Sequence, residues 1–327
     1  MNITTRLAEP RDAQLFVELA ARAFAHVPEH ARPKERPDFV AHTHGPANPA
    51  GRGLVTLAQS EGRLVGHVGA IPFRFLRSDG STTTGWQIGC YVVDGTQQRK
   101  GIGKAILAEL SQAVARDERH GFLFGYPNRR SLGPLLKLGG REVARARTLL
   151  VPPNPSFRLR DEQGRKWVVR ELDAEGASIA LKHQRFDEGR RGAFVRDAAY
   201  FQWRYLAPPA APRYRFALAA PEGGGESLLL ALSAHRIGPV QFTILVEAVP
   251  DAYDARLGLA VKAARIAGGG RPVYVTTNAR WPGRPWTVPL PERFDPRPVV
   301  DVLMPGCDEI IPELALAPIV TGDWMGF

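Results

Sequence analysis

The feature that most constrains this chain is a strand, a polar turn and an amphipathic helix that the sequence predicts between residues 87 and 121. Residues 87–93 are largely apolar, and the turn after them ends in Gln98-Arg99-Lys100-Gly101-Ile102-Gly103. Apolar side chains then recur at helical spacing, and Gly121 is placed to end the helix near its C-terminus. Such a unit directs unpaired backbone N–H groups and the positive end of the helix dipole toward one point. The sequence therefore predicts a binding site for an anion such as pyrophosphate at this turn.

The residues of the turn narrow the kind of phosphate site. Gly101 and Gly103 have no side chains, so an anion can approach the backbone closely. Three cationic side chains add positive charge nearby: Arg99, Lys100 and Lys104. The turn lacks the Gly-Lys-Ser/Thr of a P-loop, and a dinucleotide-binding fingerprint starting at Gly101 would need a glycine at Ile106. The spacing that fits is Q/R-x-x-G-x-G/A, which begins at Gln98.

The elements around the turn are predicted from periodicity and turn chemistry. Before the turn, the pattern indicates a strand at 3–8, a helix at 10–24 that is opened by Pro10-Arg11-Asp12, and a loop or broken helix at 26–52. Three antiparallel strands are predicted next, at residues 54–59, 63–77 and 82–93. After the helix, residues 122–126 indicate a buried strand. A short helix is predicted to start at Gly133-Pro134 and to stop at Gly139-Gly140.

With this order of elements over residues 3 to about 147, the turn resembles that of the GNAT acyltransferases, which carry the motif after their fourth strand. The resemblance implies an α/β (α+β) fold with a mixed, mostly antiparallel sheet flanked by helices. It also implies acetyl-CoA or another acyl-CoA as co-substrate and no metal. The residues it assigns to CoA are Tyr91, Val92 and Val93 along the pantetheine arm, Gln98, Arg99, Lys100, Gly101, Ile102, Gly103 and Lys104 at the pyrophosphate, and Asn128 near the thioester.

The catalytic groups of the family carry over less well. Many GNAT enzymes have a glutamate base eleven positions before the motif glutamine, and Gln87 stands there, which cannot accept a proton at neutral pH. The usual acid, a tyrosine four residues before a closing glycine, would fall at Leu135. Tyr126 is the nearest replacement and can equally be an aromatic packed at a strand end. His67, between glycines on the predicted third strand, is either a core histidine or a catalytic group. Proximity and orientation can also drive transfer without a dedicated base.

A second half follows a connector with three prolines and polar residues at 150–165. We predict a division into 1–154, an acyl-CoA-binding domain, and 155–327, a degenerate GNAT-like domain that completes the acceptor cleft. Residues 199–206 and 321–327 resemble segments of tandem-GNAT proteins. No Q-x-x-G-x-G follows the predicted strand 240–249, so a second CoA site is not expected. Trp203-Arg204-Tyr205 either packs between the domains or lines the acceptor pocket.

Composition sets wider limits. Lysine and arginine outnumber aspartate and glutamate by 43 to 33, and the net charge of +10 favours anionic partners or reflects a solvated basic surface. The two cysteines, Cys90 and Cys307, are expected to be buried free thiols, and they provide neither a disulfide framework nor a metal site. No apolar run approaches the roughly 20 residues that span a bilayer. The sequence therefore predicts a cytoplasmic protein without a membrane partner.

Three functions remain open from the sequence. The first is an acyltransferase that moves an acyl group, acetyl foremost, from acyl-CoA to an amine or hydroxyl of a small molecule or sugar. The second is a catalytically inactive CoA-binding module in regulation or assembly, which the residues at Gln87 and Leu135 favour. The third is a Fem-like transferase whose donor is an aminoacyl-tRNA or an acyl carrier protein. No aromatic and basic RNA-binding pattern supports the third, so nucleic acid is not the expected partner.

Overall fold

The computed structural model describes residues 3–23, 37–119, 121–127, 129–153, 158–186, 191–207, 214–237, 239–250, 256–277, 288–289, 299–303 and 308–317. These residues form two curled, mostly antiparallel sheets that are flanked by helices. The mixed α/β architecture confirms the predicted fold class.

The first sheet and its helices follow the predicted order. The elements are β1 (Ile3–Leu7), α1 (Ala13–Ala23), α2 (Pro37–His44), β2 (Leu54–Ser60), β3 (Arg63–Leu76), β4 (Thr82–Val93), α3 (Ile102–Arg116), β5 (Gly121–Gly125), α4 (Arg129–Lys137) and β6 (Arg141–Val151). Strands β2, β3 and β4 are antiparallel, as predicted. The range 26–52, predicted as a loop or broken helix, contributes α2, so part of it is helical.

Two helix boundaries differ from the sequence prediction. Helix α3 ends at Arg116, before an extended Asp117, and Gly121 begins β5 instead of capping the helix. A Cβ on Gly121 would lie 2.0 Å from the carbonyl oxygen of Thr84, so the glycine permits close pairing of β5 with β4. Helix α4 begins at Arg129 and contains Pro134, although the sequence predicts its start at Gly133-Pro134. Pro134 therefore removes one helical hydrogen bond from an already short helix.

The second half alternates strands with short helices. The elements are β7 (Leu159–Arg160), β8 (Lys166–Leu172), α5 (Ala174–Lys182), β9 (Ala193–Phe194), α6 (Ala198–Phe201), β10 (Arg215–Pro221), β11 (Leu228–Ile237), β12 (Val240–Val249), α7 (Leu257–Ala267), β13 (Val273–Thr277), β14 (Val288–Pro289), β15 (Val299–Leu303) and α8 (Ile311–Leu316). Helix α6 continues as one π-helical turn, Gln202–Leu206. Cys90 lies in β4, and Cys307 lies outside the described residues.

The two sheets are joined through β6. The strand order is β1-β2-β3-β4-β5-β15-β6-β13-β12-β11-β10-β8-β7, with β4 parallel to β5 and β12 parallel to β13. Residues 141–146 of β6 pair with β15, and residues 147–151 pair with β13. Strand β15, which is distant in sequence, thus lies between β5 and β6 and completes the first sheet. The division at residues 154 and 155 stays a prediction.

One aromatic core connects the two halves. Phe194 of β9 stacks on Phe124 at 4.9 Å between ring centroids, and a Cβ on Gly85 would lie 2.7 Å from the Phe194 ring. Strand β9 pairs with the end of β3, and Arg74 of β3 forms an ion pair with Asp197, which caps α6. In the π-helical turn, Trp203, Arg204 and Tyr205 have exposed fractions of 4%, 4% and 0%. This turn therefore packs between the halves, as one of the two predicted alternatives states.

Helix α2 is held to the second half by a reciprocal pair of hydrogen bonds. The His42 ring atom Nε2 lies 2.9 Å from the carbonyl oxygen of Trp203, and the Trp203 indole Nε1 donates to the carbonyl oxygen of His42 at 3.3 Å. The two rings also stack at 5.8 Å. Burial lowers the pKa of His42 from its usual 6.5, although the bond to Trp203 opposes the shift.

This lowered pKa predicts a contribution to acid sensitivity. Because the unfolded chain takes up the His42 proton at a higher pH than the folded protein, stability is retained above about pH 6.5 and falls as the pH drops through the folded pKa. Urea midpoints measured from pH 7.5 to 5.5 should decline less steeply for His42→Gln than for the original protein. Parallel curves for the two proteins would show that His42 does not contribute.

Candidate active site

The turn between β4 and α3 is organised by Asp94. Its carboxylate accepts hydrogen bonds from the backbone N–H of Thr96 at 3.0 Å and from the Thr96 hydroxyl at 2.8 Å. Arg63 and Arg22 lie 3.6 and 3.8 Å from the same carboxylate. Burial favours a higher pKa for Asp94, but the Thr96 bonds and the two arginines outweigh it and lower the pKa. Asp94 is therefore a fixed, ionised anchor for the start of the loop.

The loop then turns sharply into α3. Arg99 and Gly101 have φ angles of 66° and 80°, in the left-handed region, and Gly101 is the N-cap of α3 without a side-chain hydrogen bond. No heavy atom lies within 4 Å of the position a Gly101 Cβ would take, apart from its chain neighbours. Gln98, Arg99, Lys100 and Lys104 are exposed around it. The N–H groups at the start of the helix thus face open space with cationic residues nearby.

The Tyr91 hydroxyl explains why position 103 is glycine. An added Cβ on Gly103 would lie 2.0 Å from Tyr91 Oη and 3.1 Å from its Cζ. Burial raises the pKa of the Tyr91 phenol, so it is neutral at physiological pH. Gly66 of β3 also permits close packing of α3, because a Cβ at this position would lie 2.9 Å from Ile102 Cγ2. These contacts set how closely α3 approaches the sheet.

A double substitution tests this contact. Gly103→Ala should destabilise the protein by about 1–3 kcal/mol, because the added methyl overlaps Tyr91 Oη. Adding Tyr91→Phe removes that oxygen and should recover most of the loss, as measured by urea unfolding of both single variants and the double variant. Equal losses in Gly103→Ala with and without Tyr91→Phe would contradict the contact.

Strands β4 and β5 part next to the loop. Their parallel pairing runs from Thr84 opposite Gly121 to Ile88 opposite Gly125, where β5 ends, whereas β4 continues to Val93. On the other edge of β4 the register with β3 shifts, so that residues 90 and 91 face one residue of β3. This is the arrangement of a β-bulge, which bends a strand away from its neighbour. Residues 89–93 therefore have no pairing partner in β5.

Gln87 and Tyr126 lie on one face of the sheet beside this gap. Gln87 is buried and pairs across the strands with Ile71 and Phe124, and both of these belong to the aromatic core that the second half covers. Tyr126 follows β5 and contacts Phe124 edge to face at 5.7 Å. Between them, a Cβ on Gly89 would meet only Ile71 Cδ1, at 3.9 Å. The structure therefore places these two predicted residues on one face of the sheet, next to Gly89.

His67, the third predicted catalytic residue, lies away from Gln87 and Tyr126. His67 is buried beneath α1, with its ring centroid 5.2 Å from that of Phe16. It lies four residues along β3 from Ile71, the partner of Gln87, which is about 13 Å at 3.3 Å per residue. The core alternative for His67 thus fits its position better than the catalytic one. Asn128 lies outside the described residues, and its proposed place near the thioester stays a prediction.

Sequence reasoning missed Asp94 as an organising residue. The signal was present, because an aspartate two residues before a threonine at a turn commonly forms hydrogen bonds with the local backbone.

In the described ranges, no group of three or more His, Cys, Asp or Glu side chains could hold a metal ion. Within the same ranges, no helix is long and apolar enough to cross a membrane.

Residues 15–139 match the acetyltransferase (GNAT) family, and this part of the chain belongs to that family. The matched range contains β2 to β5, the loop, α3 and α4. Acyl transfer is therefore the chemistry of the class to which the first half belongs. No curated protein is significantly similar to the chain in sequence.

Several solved structures have a similar fold over most of this chain, so the similarity extends to both halves. A GCN5-related N-acetyltransferase from Anabaena variabilis ATCC 29413 has a TM-score of 0.61 at 9% identity, over 92% of this chain and 72% of that one. A conserved protein of unknown function and probable N-acyltransferase from Enterococcus faecalis V583 has 0.57 at 13%, over 93% and 71%. Eis1 from Mycobacterium abscessus has 0.51 at 15%, over 87% and 67%. At these identities the similarity concerns the fold alone.

Proposed function

We propose that this chain transfers an acyl group, acetyl foremost, from acyl-CoA to an amine or hydroxyl of a small molecule or sugar. The observation that carries the proposal is the start of α3, where Gly101 adopts a left-handed conformation without a side-chain cap beside the gap between β4 and β5. A helix start of this kind stabilises phosphate groups through its N–H groups and dipole. Membership of residues 15–139 in the GNAT family supports the same donor.

The geometry suits CoA in two parts. The residues proposed to hold the pyrophosphate are those from Gln98 to Lys104, where the backbone is open and four polar or cationic side chains are exposed. The amide-bearing pantetheine arm would lie along Tyr91 to Val93, whose strand has parted from β5. An extended chain of amides can pair with such a strand edge as a neighbouring strand would. The thioester would then lie near Gly89.

Transfer at Gly89 needs few protein groups. The acceptor nitrogen or oxygen attacks the thioester carbon, the C–S bond breaks, and the acceptor loses a proton to solvent. We assign Tyr126 to give its phenol proton to the departing thiolate, after which solvent restores that proton. Gln87 has no basic group, so its amide oxygen would instead accept a hydrogen bond from the acceptor and orient it. Orientation then supplies much of the rate acceleration.

Steady-state kinetics with acetyl-CoA and a panel of amines and amino sugars tests this proposal. Tyr126→Phe should lower kcat by about 100-fold or more, in the range typical of a lost general acid, with unchanged CoA affinity by calorimetry. Tyr274→Phe, in β13 of the second sheet, is the matched control and should keep kcat. An unchanged kcat in Tyr126→Phe would exclude the assigned proton donor.

The absence of a carboxylate at position 87 is also compatible with a protein that binds CoA without catalysis, and the same experiments distinguish the two functions. Saturable CoA binding without turnover of any acceptor would favour a CoA-binding module in regulation or assembly. Absence of CoA binding would instead favour an aminoacyl-tRNA or carrier-protein donor, and tRNA binding should then weaken steeply with salt.

A further inference from the structure

The second half contains a cleft that the acyl-transfer site does not use. It measures about 490 Å³ and lies between α5 and the outer strands β8 and β10. This volume is within the roughly 300–1,000 Å³ range of small-molecule pockets. The loop at Gly101 and the gap at Gly89 belong to the first sheet, so the cleft is a separate feature.

The walls of the cleft are apolar. Leu172 of β8 and Leu218 of β10 form its floor, and Ile179 and Ala180 of α5 form its side. Ile179 is 53% exposed, and so is Val168, which shares the same face of β8. The alternate β8 residues, Trp167 and Val169, pack on the opposite face against α7, so this surface is a distinct side of the sheet. Predominantly apolar walls are usual in pockets that bind small molecules.

A single positive charge stands on the floor. Arg170 pairs across the strands with Leu218 and lies two residues from Leu172 on the same face. The Arg170 side chain forms no ion pair or hydrogen bond with the described part of the chain. The nearby Glu171 points to the other face, where it pairs with Arg215. No carboxylate is found among the described residues that line the cleft.

Two further donors lie in the cleft. Gln184 donates to the Ser227 hydroxyl at 3.0 Å, so Ser227 can still donate its own proton. His183, the C-cap of α5, also lines the cleft and carries ring nitrogens that can donate. Guanidinium, hydroxyl and imidazole donors beside an apolar wall match a carboxylate attached to a hydrocarbon body. An arginine binds such a carboxylate through two parallel hydrogen bonds.

We propose that this cleft binds small organic carboxylates with an alkyl or aryl body. The carboxylate contacts Arg170 and Ser227, and the hydrocarbon body covers Leu172, Leu218 and Ile179. The ligand is anionic because the cleft offers an unpaired cation and no carboxylate. The ligand also has a hydrocarbon body, because a small inorganic anion would leave the apolar wall of the cleft uncovered. The site is independent of CoA.

Calorimetric titration with hexanoate tests the proposal, with hexan-1-ol and acetate as probes that lack the charge or the hydrocarbon body. Hexanoate should bind saturably at one site and at least about tenfold more tightly than either probe. Arg170→Gln should weaken hexanoate binding by a similar factor and leave hexan-1-ol unaffected. Arg158→Gln, an exposed arginine outside the cleft, is the matched control and should bind hexanoate normally.

Three results would overturn the site. Hexanoate binding that is absent, or that survives Arg170→Gln, would remove the role of the guanidinium. Equal binding of hexan-1-ol would mean that the contact is apolar only. Displacement of hexanoate by saturating CoA would place the ligand in the pantetheine channel instead. Because the readout is binding to the intact chain, these results do not depend on whether acyl transfer is observed.

Discussion

Gly101→Glu is expected to abolish CoA binding while the protein remains folded. The new carboxylate would stand at the N-cap of α3, in open space where the pyrophosphate is proposed to bind. Two like charges at roughly 5 Å with an effective dielectric of 20 repel by about 3 kcal/mol, which is more than a hundredfold in affinity. The same carboxylate is favourable to the helix dipole, so α3 should not lose stability from its charge.

Gly101→Gln is the matched control for this substitution. Both side chains carry the same cost, about 1–2 kcal/mol, of placing a non-glycine residue at a φ of 80°, so their urea midpoints should be similar. Calorimetry should then show much weaker CoA binding for Gly101→Glu than for Gly101→Gln. Equal CoA affinities in two folded variants would refute the placement of the pyrophosphate.

Local chemistry made the first sheet and the loop predictable. Segments rich in β-branched and aromatic residues, separated by Ser-Glu-Gly and Ser-Asp-Gly-Ser turns, predicted β2 to β4, and the glycine spacing after β4 predicted the start of α3. The structure places Gly101 in the left-handed conformation that only glycine adopts without strain. Gly121 was misinterpreted because a glycine after a helix is a common stop signal, whereas here it permits contact with Thr84, a residue distant in sequence.

What could not be predicted depends on pairing between distant segments. Strand β15 reaches the gap between β5 and β6 from more than 150 residues away, and no local pattern specifies that partner. Phe194 has the same origin, because its ring fills the space above Gly85 only after β9 has joined β3. The placement of Gln87 and Tyr126 on one face likewise required the register of β4 against β5. Tertiary contacts, not residue types, decide these positions.

Glu247→Gln is expected to cause the largest loss of stability. The Glu247 carboxylate is 3.0 Å from the guanidinium of Arg196, and it accepts hydrogen bonds from Tyr205 Oη at 3.4 Å and from the backbone N–H of Ala248 at 3.2 Å. The side chains of Glu247 and Arg196 are only 1% and 9% exposed. Removing one partner leaves a buried charge, which typically costs about 3–5 kcal/mol.

The double variant Glu247→Gln, Arg196→Met separates the lost charge pair from lost packing. Met has a long apolar side chain and no charge, so the double variant should regain at least about half of the loss in the single variant. Urea unfolding followed by tryptophan fluorescence measures the stability of both variants, and Trp203, one of six tryptophans, lies in the core that the halves share. Arg196 follows β9 on the first sheet, and Glu247 lies in β12 of the second. Recovery in the double variant would therefore mean that the halves associate without the ion pair. Aromatic packing around Phe194 and Trp203 would then provide the attraction, and the ion pair would fix the position of one half against the other.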